Sequence, residues 1–208
     1  MQIFAMTDIH GCLEAFKEAL SQISLRGDNK LVLLGDYIHG GGQDHEVLDL
    51  IMDLQEKHGE DKVIALLGNH EEDVLSECGR PISHPKNSKG KRSDEVYKNW
   101  MRSLPLYYVE GKVIFVHAGI AEEAGEYWEL GTPEHYFTSK YPPSFEEFDC
   151  DKKIVAGHTS VAYITGEPDY TDIYYDGHSH FYIDGDVCAT GKFNILVYDT
   201  KTDSFCQL

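Results

Sequence analysis

Residues 2–11 read QIFAMTDIHG. The first part of this stretch, Gln2 to Met6, is a short apolar run, and the polar residues Asp8 and His10 come directly after it. Apolar side chains then recur every three to four positions between Gly11 and Arg26, which is the spacing of one face of an α-helix. The stretch therefore predicts a buried strand, a polar loop and a helix, in that order.

The same order of elements is repeated farther along the chain. Lys30 to Leu34 is predicted to be a buried strand, Asp44 to His58 an amphipathic helix, and Lys62 to Leu67 the next strand. Strands that alternate with helices at this spacing are typical of parallel βαβ units. We therefore expect an α/β fold.

Each predicted strand ends in a polar cluster. Three clusters have the sequences DIHG (8–11), GDYI (35–38) and GNHE (68–71). Two later strands, predicted at 112–116 and 153–156, lead to His117 and His158. Ligands of open α/β sheets bind beyond the carboxyl ends of the strands, so the clusters are expected to converge on one edge.

Taken singly, these residues have ordinary explanations, since Asp8 is also a suitable helix cap and Asn69 a suitable turn residue. Taken together, five strand ends each supply Asp, Asn or His. Carboxylate oxygens and imidazole nitrogens without thiolates suit Mn, Fe, Zn, Co or Ni. The number of such ligands suggests two ions, an arrangement that favours hydrolysis of a phosphate ester.

The motifs resemble those of the calcineurin-like metallophosphoesterases. The resemblance rests on five sequences in order, which are DIHG (8–11), GDYI (35–38), GNHE (68–71), FVHAG (115–119) and AGHT (156–159). It covers nearly the whole chain and is most similar to the bacterial phosphoprotein phosphatases and symmetrical dinucleoside tetraphosphatases. The resemblance implies a four-layer α/β/β/α sandwich with two mixed central sheets.

The resemblance also implies roles for individual residues. Six would bind metal: Asp8, His10, Asp36, Asn69, His117 and His158. The first three would hold one ion, with Asp36 bridging, and the last three would complete the second. His70 would act as the general acid that protonates the leaving group. Manganese is the first choice of metal, with iron, zinc, nickel and cobalt as alternatives.

Two positions depart from the family's second motif, GDxxDRG. His39 stands where the family has an Asp that supports the catalytic His, and Gly40 stands where it has an Arg that grips phosphate. A neutral imidazole gives His70 less support than a carboxylate, so we expect activity to shift toward acidic leaving groups. His39 could instead contact phosphate or metal.

Another cation is expected to replace the missing Arg. The candidates are in the basic segment 79–92, namely Arg80, Lys86, Lys89, Lys91 and Arg92, of which Arg80 and Arg92 are chosen as substrate-binding residues. The alternative is a solvated loop. Elsewhere, His178 and His180 are predicted to lie at the surface.

Composition narrows the functional classes. The 208 residues are expected to form a single domain, with 79–103 and 119–150 as loop or lid insertions. The formal net charge of −18 argues against duplex nucleic acid as a partner. No apolar run is long enough to span a membrane, and the five scattered cysteines suggest neither a zinc ribbon nor a disulfide framework. A cytoplasmic location is expected, and the oligomeric state is left open.

Three functions fit the sequence. The first choice is a dinuclear metal-dependent phosphatase that hydrolyses phosphate monoesters by metal-activated hydroxide, in the manner of serine/threonine phosphoprotein phosphatases. The second is a hydrolase of dinucleoside tetraphosphates or other phosphoanhydrides. The third is a non-catalytic metal-binding regulatory protein, against which the intact ligand set argues. The substrate is accordingly a phosphorylated protein, a small phosphorylated molecule or a nucleotide.

Overall fold

Two five-stranded mixed sheets form the centre of the protein. The structure is a computed structural model that describes residues 1–82, 90–145 and 147–208. The strands are β1 Gln2–Met6, β2 Lys30–Leu33, β3 Val63–Ala65, β4 Tyr107–Glu110, β5 Val113–Val116, β6 Lys153–Ala156, β7 Tyr174–Tyr175, β8 His180–Tyr182, β9 Leu196–Asp199 and β10 Ser204–Gln207.

The helices surround these sheets. They are α1 Leu13–Ser21, α2 Asp44–His58, α3 Asn69–Leu75, α4 Asp94–Ser103, α5 Trp128–Gly131, α6 Glu134–Ser139, α7 Val161–Thr165 and α8 Val187–Thr190. A 3₁₀ turn, Glu122–Tyr127, precedes α5. No helix within the described ranges is long and apolar enough to cross a membrane.

The strand order explains where the polar clusters meet. The first sheet has the order β10-β9-β1-β2-β3, in which β1, β2 and β3 are parallel neighbours. The second has the order β4-β5-β6-β8-β7, in which β5, β6 and β8 are parallel neighbours. The carboxyl ends of parallel strands share an edge, so each sheet presents its strand-end residues on one side.

Three apolar cores separate four layers. One core packs helices α1, α2 and α4 on the outer face of the first sheet, with Phe16, Val47 and Tyr97 fully buried. A second core lies between the sheets, where Ile3 of β1 and Phe115 of β5 are fully buried. The third covers the outer face of the second sheet with side chains from 120–148. This arrangement confirms the predicted α/β/β/α sandwich.

Several predicted elements are confirmed, and one helix had not been predicted. The predicted strand at 2–6 and helix at 44–58 are observed with the same bounds. The hairpin after α4 is also confirmed, with β4 and β5 antiparallel. Helix α3 was not predicted, although it carries Asn69 and His70.

The two segments predicted as insertions, 79–103 and 119–150, each contribute side chains to an apolar core. Within 79–103, α4 is part of the first core, because Tyr97 and Met101 are fully buried there. Within 119–150, Trp128 and Phe137 cover the second sheet and are almost completely buried. Packing of the apolar side chains therefore makes much of both segments part of the globular body.

Candidate metal centre

Five strand ends bring the expected residues together. Asp8 follows β1, Asp36 follows β2, Asn69 begins α3 after β3, His117 follows β5 and His158 follows β6. The two sheets contribute to one cluster, because His117 and His158 of the second sheet contact residues of the first. The sequence prediction that distant segments converge on one edge is thus met in the geometry of these side chains.

Asp36 lies between two groups of potential metal ligands. Its Oδ2 atom is 3.4 Å from Nε2 of His117 and 4.0 Å from Nε2 of His10. The ligand atoms of His10, Asp36 and His70 all lie within 4.8 Å of one another, as do those of Asp36, His117 and His158. A carboxylate shared by two ligand groups is the arrangement that a bridging role requires.

Asn69 and Asp8 complete the two sides of the cluster. Oδ1 of Asn69 accepts hydrogen bonds from Nε2 of His117 (3.0 Å) and from Nδ1 of His158 (2.9 Å). On the other side, Oδ1 of Asp8 is 3.6 Å from Nε2 of His10. The second oxygen of Asp8 accepts from the backbone N–H of His158 at 3.0 Å, which ties β1 to β6.

The backbone around these residues is in a costly conformation. Asp8, His10, Asp36, His39 and His158 all have positive φ, between 48° and 70°. Residues other than glycine adopt such angles rarely, and each costs on the order of 1–3 kcal/mol. Five such residues at one edge indicate that the surrounding fold holds these loops in a strained conformation, which positions their side chains in the cluster.

Backbone hydrogen bonds orient two of the imidazoles. Nδ1 of His10 is 3.0 Å from the carbonyl oxygen of Ile38, and Nδ1 of His117 is 3.0 Å from that of Leu34. A carbonyl oxygen only accepts, so both Nδ1 atoms carry protons and donate them. In each ring Nε2 faces the carboxylates, as is usual for histidines that bind metal.

The cluster is electrostatically suited to cations. Burial alone would lower the pKa of His10, but its interactions with Asp8 and Asp36 raise it to about 10. Burial likewise opposes charge on His117, and Asp36 nevertheless raises its pKa to about 9. Burial would raise the pKa of Asp36, but the neighbouring histidines hold it well below its usual range. Protons here occupy nitrogens at which a metal ion would compete.

Glu71 is a buried support that the sequence reasoning missed. Its carboxylate accepts the backbone N–H groups of Asp36 (2.9 Å), Tyr37 (2.9 Å) and Gly68 (3.2 Å). Burial and the nearby charge of Asp36 raise the pKa of Glu71 to about 7. The available signal was its position in GNHE, two residues after Asn69, where an acidic side chain at the start of a helix can turn back to the preceding loop.

His70 and His39 lie next to the metal cluster. Nε2 of His70 is 3.8 Å from Oδ2 of Asp36, and its ring centroid lies 5.3 Å from that of His39. Nδ1 of each ring is buried and has no hydrogen-bond partner among the described residues. His39 instead bonds through Nε2 to the carbonyl oxygen of Pro81 at 2.9 Å. The two rings are therefore neighbours without a carboxylate between them.

The two candidate phosphate-binding arginines are placed differently. Arg80 is exposed and bonds through Nε to Asp73 of α3 at 2.6 Å, close enough to the cluster for its charge to affect His70. Arg92 donates to Asp49, Asp53 and Glu56 of α2 at 2.7–2.9 Å. Arg92 is thus fully engaged by carboxylates, and its placement gives no support to a substrate-binding role.

The remaining basic candidates add little. Lys91 is paired with Asp53 on α2 at 2.6 Å. Lys86 and Lys89 lie outside the described residues. Of the candidates in the described part of the chain, Arg80 is the one whose position suits the site.

Comparison with known proteins supports a single family. The family model described as calcineurin-like phosphoesterase matches residues 1–197. A curated relative from Aromatoleum aromaticum, named bis(5′-nucleosyl)-tetraphosphatase, symmetrical, is 30% identical over 132 residues, which are 58% of this chain and 45% of the relative. The chain therefore spans about half the length of curated relatives of this name.

Solved structures show the same fold. A protein described as a candidate diadenosine tetraphosphatase has a TM-score of 0.71 at 16% identity, covering 100% of this chain and 92% of that one. A cold-active protein-tyrosine phosphatase from a psychrophilic Shewanella species has a TM-score of 0.68 at 18% identity, covering 100% and 80%. Identity this low shows similarity of fold alone.

Proposed function

The chain belongs to the calcineurin-like phosphoesterase family, and from this premise we propose that it is a two-metal hydrolase of phosphoanhydrides, with dinucleoside tetraphosphates as its substrate class. The observation that carries the proposal is the surroundings of His70, whose Nδ1 has no partner among the described residues. The names of curated relatives point to the same substrate class.

The donor set fits two divalent cations. Asp8, His10 and Asp36 would hold one ion, and Asn69, His117 and His158 would hold the other together with Asp36. The oriented Nε2 atoms of His10 and His117 and the shared carboxylate are the features that fit. When bound, such ions polarise phosphate oxygens and make a water nucleophilic near neutral pH. Manganese suits this mixture of oxygen and nitrogen donors.

The leaving group explains why a weakly supported His70 suffices. Burial lowers the pKa of His70 and outweighs the charge of Asp36, which raises it; the charge of Arg80 makes a smaller contribution in the same direction as burial. No carboxylate of the described residues bonds to its Nδ1 to hold a proton there. A nucleoside phosphate departs as a stable anion and needs little help from a general acid, whereas the alkoxide of a phosphoserine needs much.

Arg80 supplies the positive charge for the phosphate chain. Its Nε bond to Asp73 leaves the terminal nitrogens of the guanidinium for other contacts, and the side chain is 60% exposed. A guanidinium can form two parallel hydrogen bonds to one phosphate, which orients the chain as well as attracting it. Gly40 offers no such group, so Arg80 takes the task that the family assigns to the Arg of the second motif.

The phosphomonoester function has less support. Solved phosphatases resemble this chain at identities that show the fold alone. A non-catalytic role is also disfavoured, because all six expected ligands are present and clustered.

A substrate panel tests the proposal. Manganese-loaded protein is incubated with diadenosine tetraphosphate, nitrophenyl phosphate, bis(nitrophenyl) phosphate and a phosphoserine peptide, and kcat/KM is measured for each. We expect diadenosine tetraphosphate to be preferred and to give two molecules of ADP, the products of symmetrical cleavage. Preference for the phosphopeptide would reject the proposal in favour of the monoesterase. The Asp36→Asn variant and chelator-treated protein serve as controls for contaminating hydrolases.

A further inference from the structure

Two cysteines from opposite ends of the chain meet beside the His10 loop. The sulfur atoms of Cys12 and Cys188 are 3.4 Å apart, although 176 residues separate them in sequence. Both are free thiols. Among the described residues, no other pair of cysteine sulfurs is in hydrogen-bonding contact.

The two cysteines pack against Gly40, where the sequence departs from the family motif, and against the adjacent Gly41. A Cβ atom on Gly40 would lie 2.7 Å from the sulfur of Cys188, and one on Gly41 would lie 2.7 Å from the sulfur of Cys12. Both sulfurs are also close to the carbonyl oxygen of His10, at 3.8 Å for Cys12 and 4.0 Å for Cys188. The two thiols thus occupy the space above Gly40 and Gly41, next to a proposed metal ligand.

We propose that Cys12 and Cys188 form a reversible disulfide that clasps the His10 loop to helix α8. An S–S bond is about 2.0 Å long, so each sulfur needs to move by less than about 1 Å to form it. Cys188 is exposed and Cys12 is partly exposed, so a small disulfide such as oxidised glutathione can reach them.

Oxidised glutathione is the only oxidant that the thiol–disulfide exchange needs. The thiolate of Cys12 attacks oxidised glutathione, forms a mixed disulfide and releases one glutathione. Cys188 then attacks the Cys12 sulfur, loses its proton to solvent and releases the second glutathione.

The clasp acts on the metal centre through His10. Cys12 is two residues from His10, and α8 follows the strand β8 of the other sheet. A covalent link between the two would restrict opening of the His10 loop. This expectation depends on the proposed metal site. The oxidised protein should lose bound manganese to a chelator more slowly than the reduced protein does.

The experiment separates the disulfide from the metal effect. The 208-residue chain is treated with oxidised glutathione, digested without reduction and mapped by mass spectrometry. A Cys12–Cys188 linked peptide that dithiothreitol removes is expected, and it should be absent from Cys12→Ser and Cys188→Ser. Matched controls, Cys78→Ser and Cys206→Ser, remove exposed cysteines elsewhere and should keep it. Absence of the linkage, or mixed pairing with Cys78, Cys150 or Cys206, would overturn the proposal.

The second measurement is the rate of manganese transfer to a coloured chelator. The oxidised protein should release manganese severalfold more slowly than the reduced protein, and Cys188→Ser should show no difference between the two treatments. Equal rates in wild type with the disulfide present would overturn the clasp. Peptide mapping needs neither metal nor turnover, so a chain that hydrolyses no tetraphosphate can still confirm or refute the disulfide.

Discussion

His39 donates a hydrogen bond from Nε2 to the carbonyl oxygen of Pro81, at 2.9 Å. Nε2 is the donor of this bond, because a carbonyl oxygen can only accept. Nδ1 of His39 is buried beside His70 and has no partner among the described residues. His39 thus bonds to the segment that carries Arg80, and it places an imidazole instead of a carboxylate beside His70.

Restoring a carboxylate at this position is expected to strengthen acid catalysis. In His39→Asp, an anion beside Nδ1 of His70 should raise the pKa of His70 and keep it protonated. The ratio of kcat/KM for a phosphoserine peptide to that for nitrophenyl phosphate should rise about tenfold, a modest share of what general acids contribute. Asp also tolerates the positive φ of 70° at this position.

His39→Asn is the matched control for that change. It also tolerates positive φ and also loses the imidazole bond to Pro81, but it brings no charge. If Asn raises the ratio as much as Asp, the effect comes from movement of the Pro81 segment and the electrostatic explanation is wrong.

Arg80 is expected to contribute to substrate binding. Arg80→Ala should raise KM for diadenosine tetraphosphate about tenfold, which is about 1.4 kcal/mol, and change kcat less. Arg102→Ala is a suitable control, since Arg102 is an exposed arginine on α4 that contacts Glu95 and Asn99. A KM for Arg80→Ala equal to that of the control would remove Arg80 from the site.

Variants of Asp36, the shared carboxylate, and of His70, the proposed acid, should differ in metal content. Asp36→Asn should lose most of its manganese and its turnover, because Asp36 is the one residue that occurs in both groups of potential ligands among the described residues and is proposed to be shared by both ions. His70→Asn should retain metal and lose rate. Elemental analysis after gel filtration, with turnover measured on the same samples, checks both. Metal loss in His70→Asn with retention in Asp36→Asn would reverse the assigned roles.

The sequence was most informative where a residue's task depends on its own strand. The strand ends at Asp8, Asp36 and His117 could be predicted because apolar runs stop there and parallel strands share an edge. The supports of these residues could not be predicted in the same way. Glu71 bonds to backbone atoms of a loop about 35 residues away, and the Cys12–Cys188 contact joins the two ends of the chain. Contacts of this kind depend on how the sheets stack, which local patterns do not contain.

His180 shows the same limit and corrects a prediction. The sequence placed His178 and His180 at the surface, but only His178 is exposed, whereas His180 is 2% exposed. Its Nδ1 contacts Asp176 at 2.8 Å and its Nε2 contacts Glu122 at 3.2 Å. Glu122 comes from the 119–150 segment and also pairs with Lys140. A buried imidazole with a carboxylate on each nitrogen thus fastens that segment to the second sheet.

This buried group is expected to make the protein sensitive to acid. Burial would raise the pKa of both carboxyl groups. Hydrogen bonds and charge from His180 and Lys140 nevertheless hold the pKa of Glu122 below its usual value. Backbone N–H groups and the side chain of His180 do the same for the pKa of Asp176. A lowered pKa in the folded state stabilises the protein above the unfolded values of 3.8 and 4.5. That contribution is lost as the pH falls through the folded values.

Asp176→Asn tests this expectation with metal removed by chelator. At pH 7 the variant should lose about 2 kcal/mol of unfolding free energy, because hydrogen bonds to a charged acceptor contribute more than those to a neutral amide oxygen. The difference from wild type should shrink as the pH falls toward 3, since protonation removes the same charge from the wild-type carboxyl. Urea denaturation at several pH values measures both quantities, and Asp169→Asn, an exposed acidic residue nearby in sequence, is the control. A difference that stays constant from pH 7 to pH 3 would show that the charge of Asp176 does not stabilise the fold.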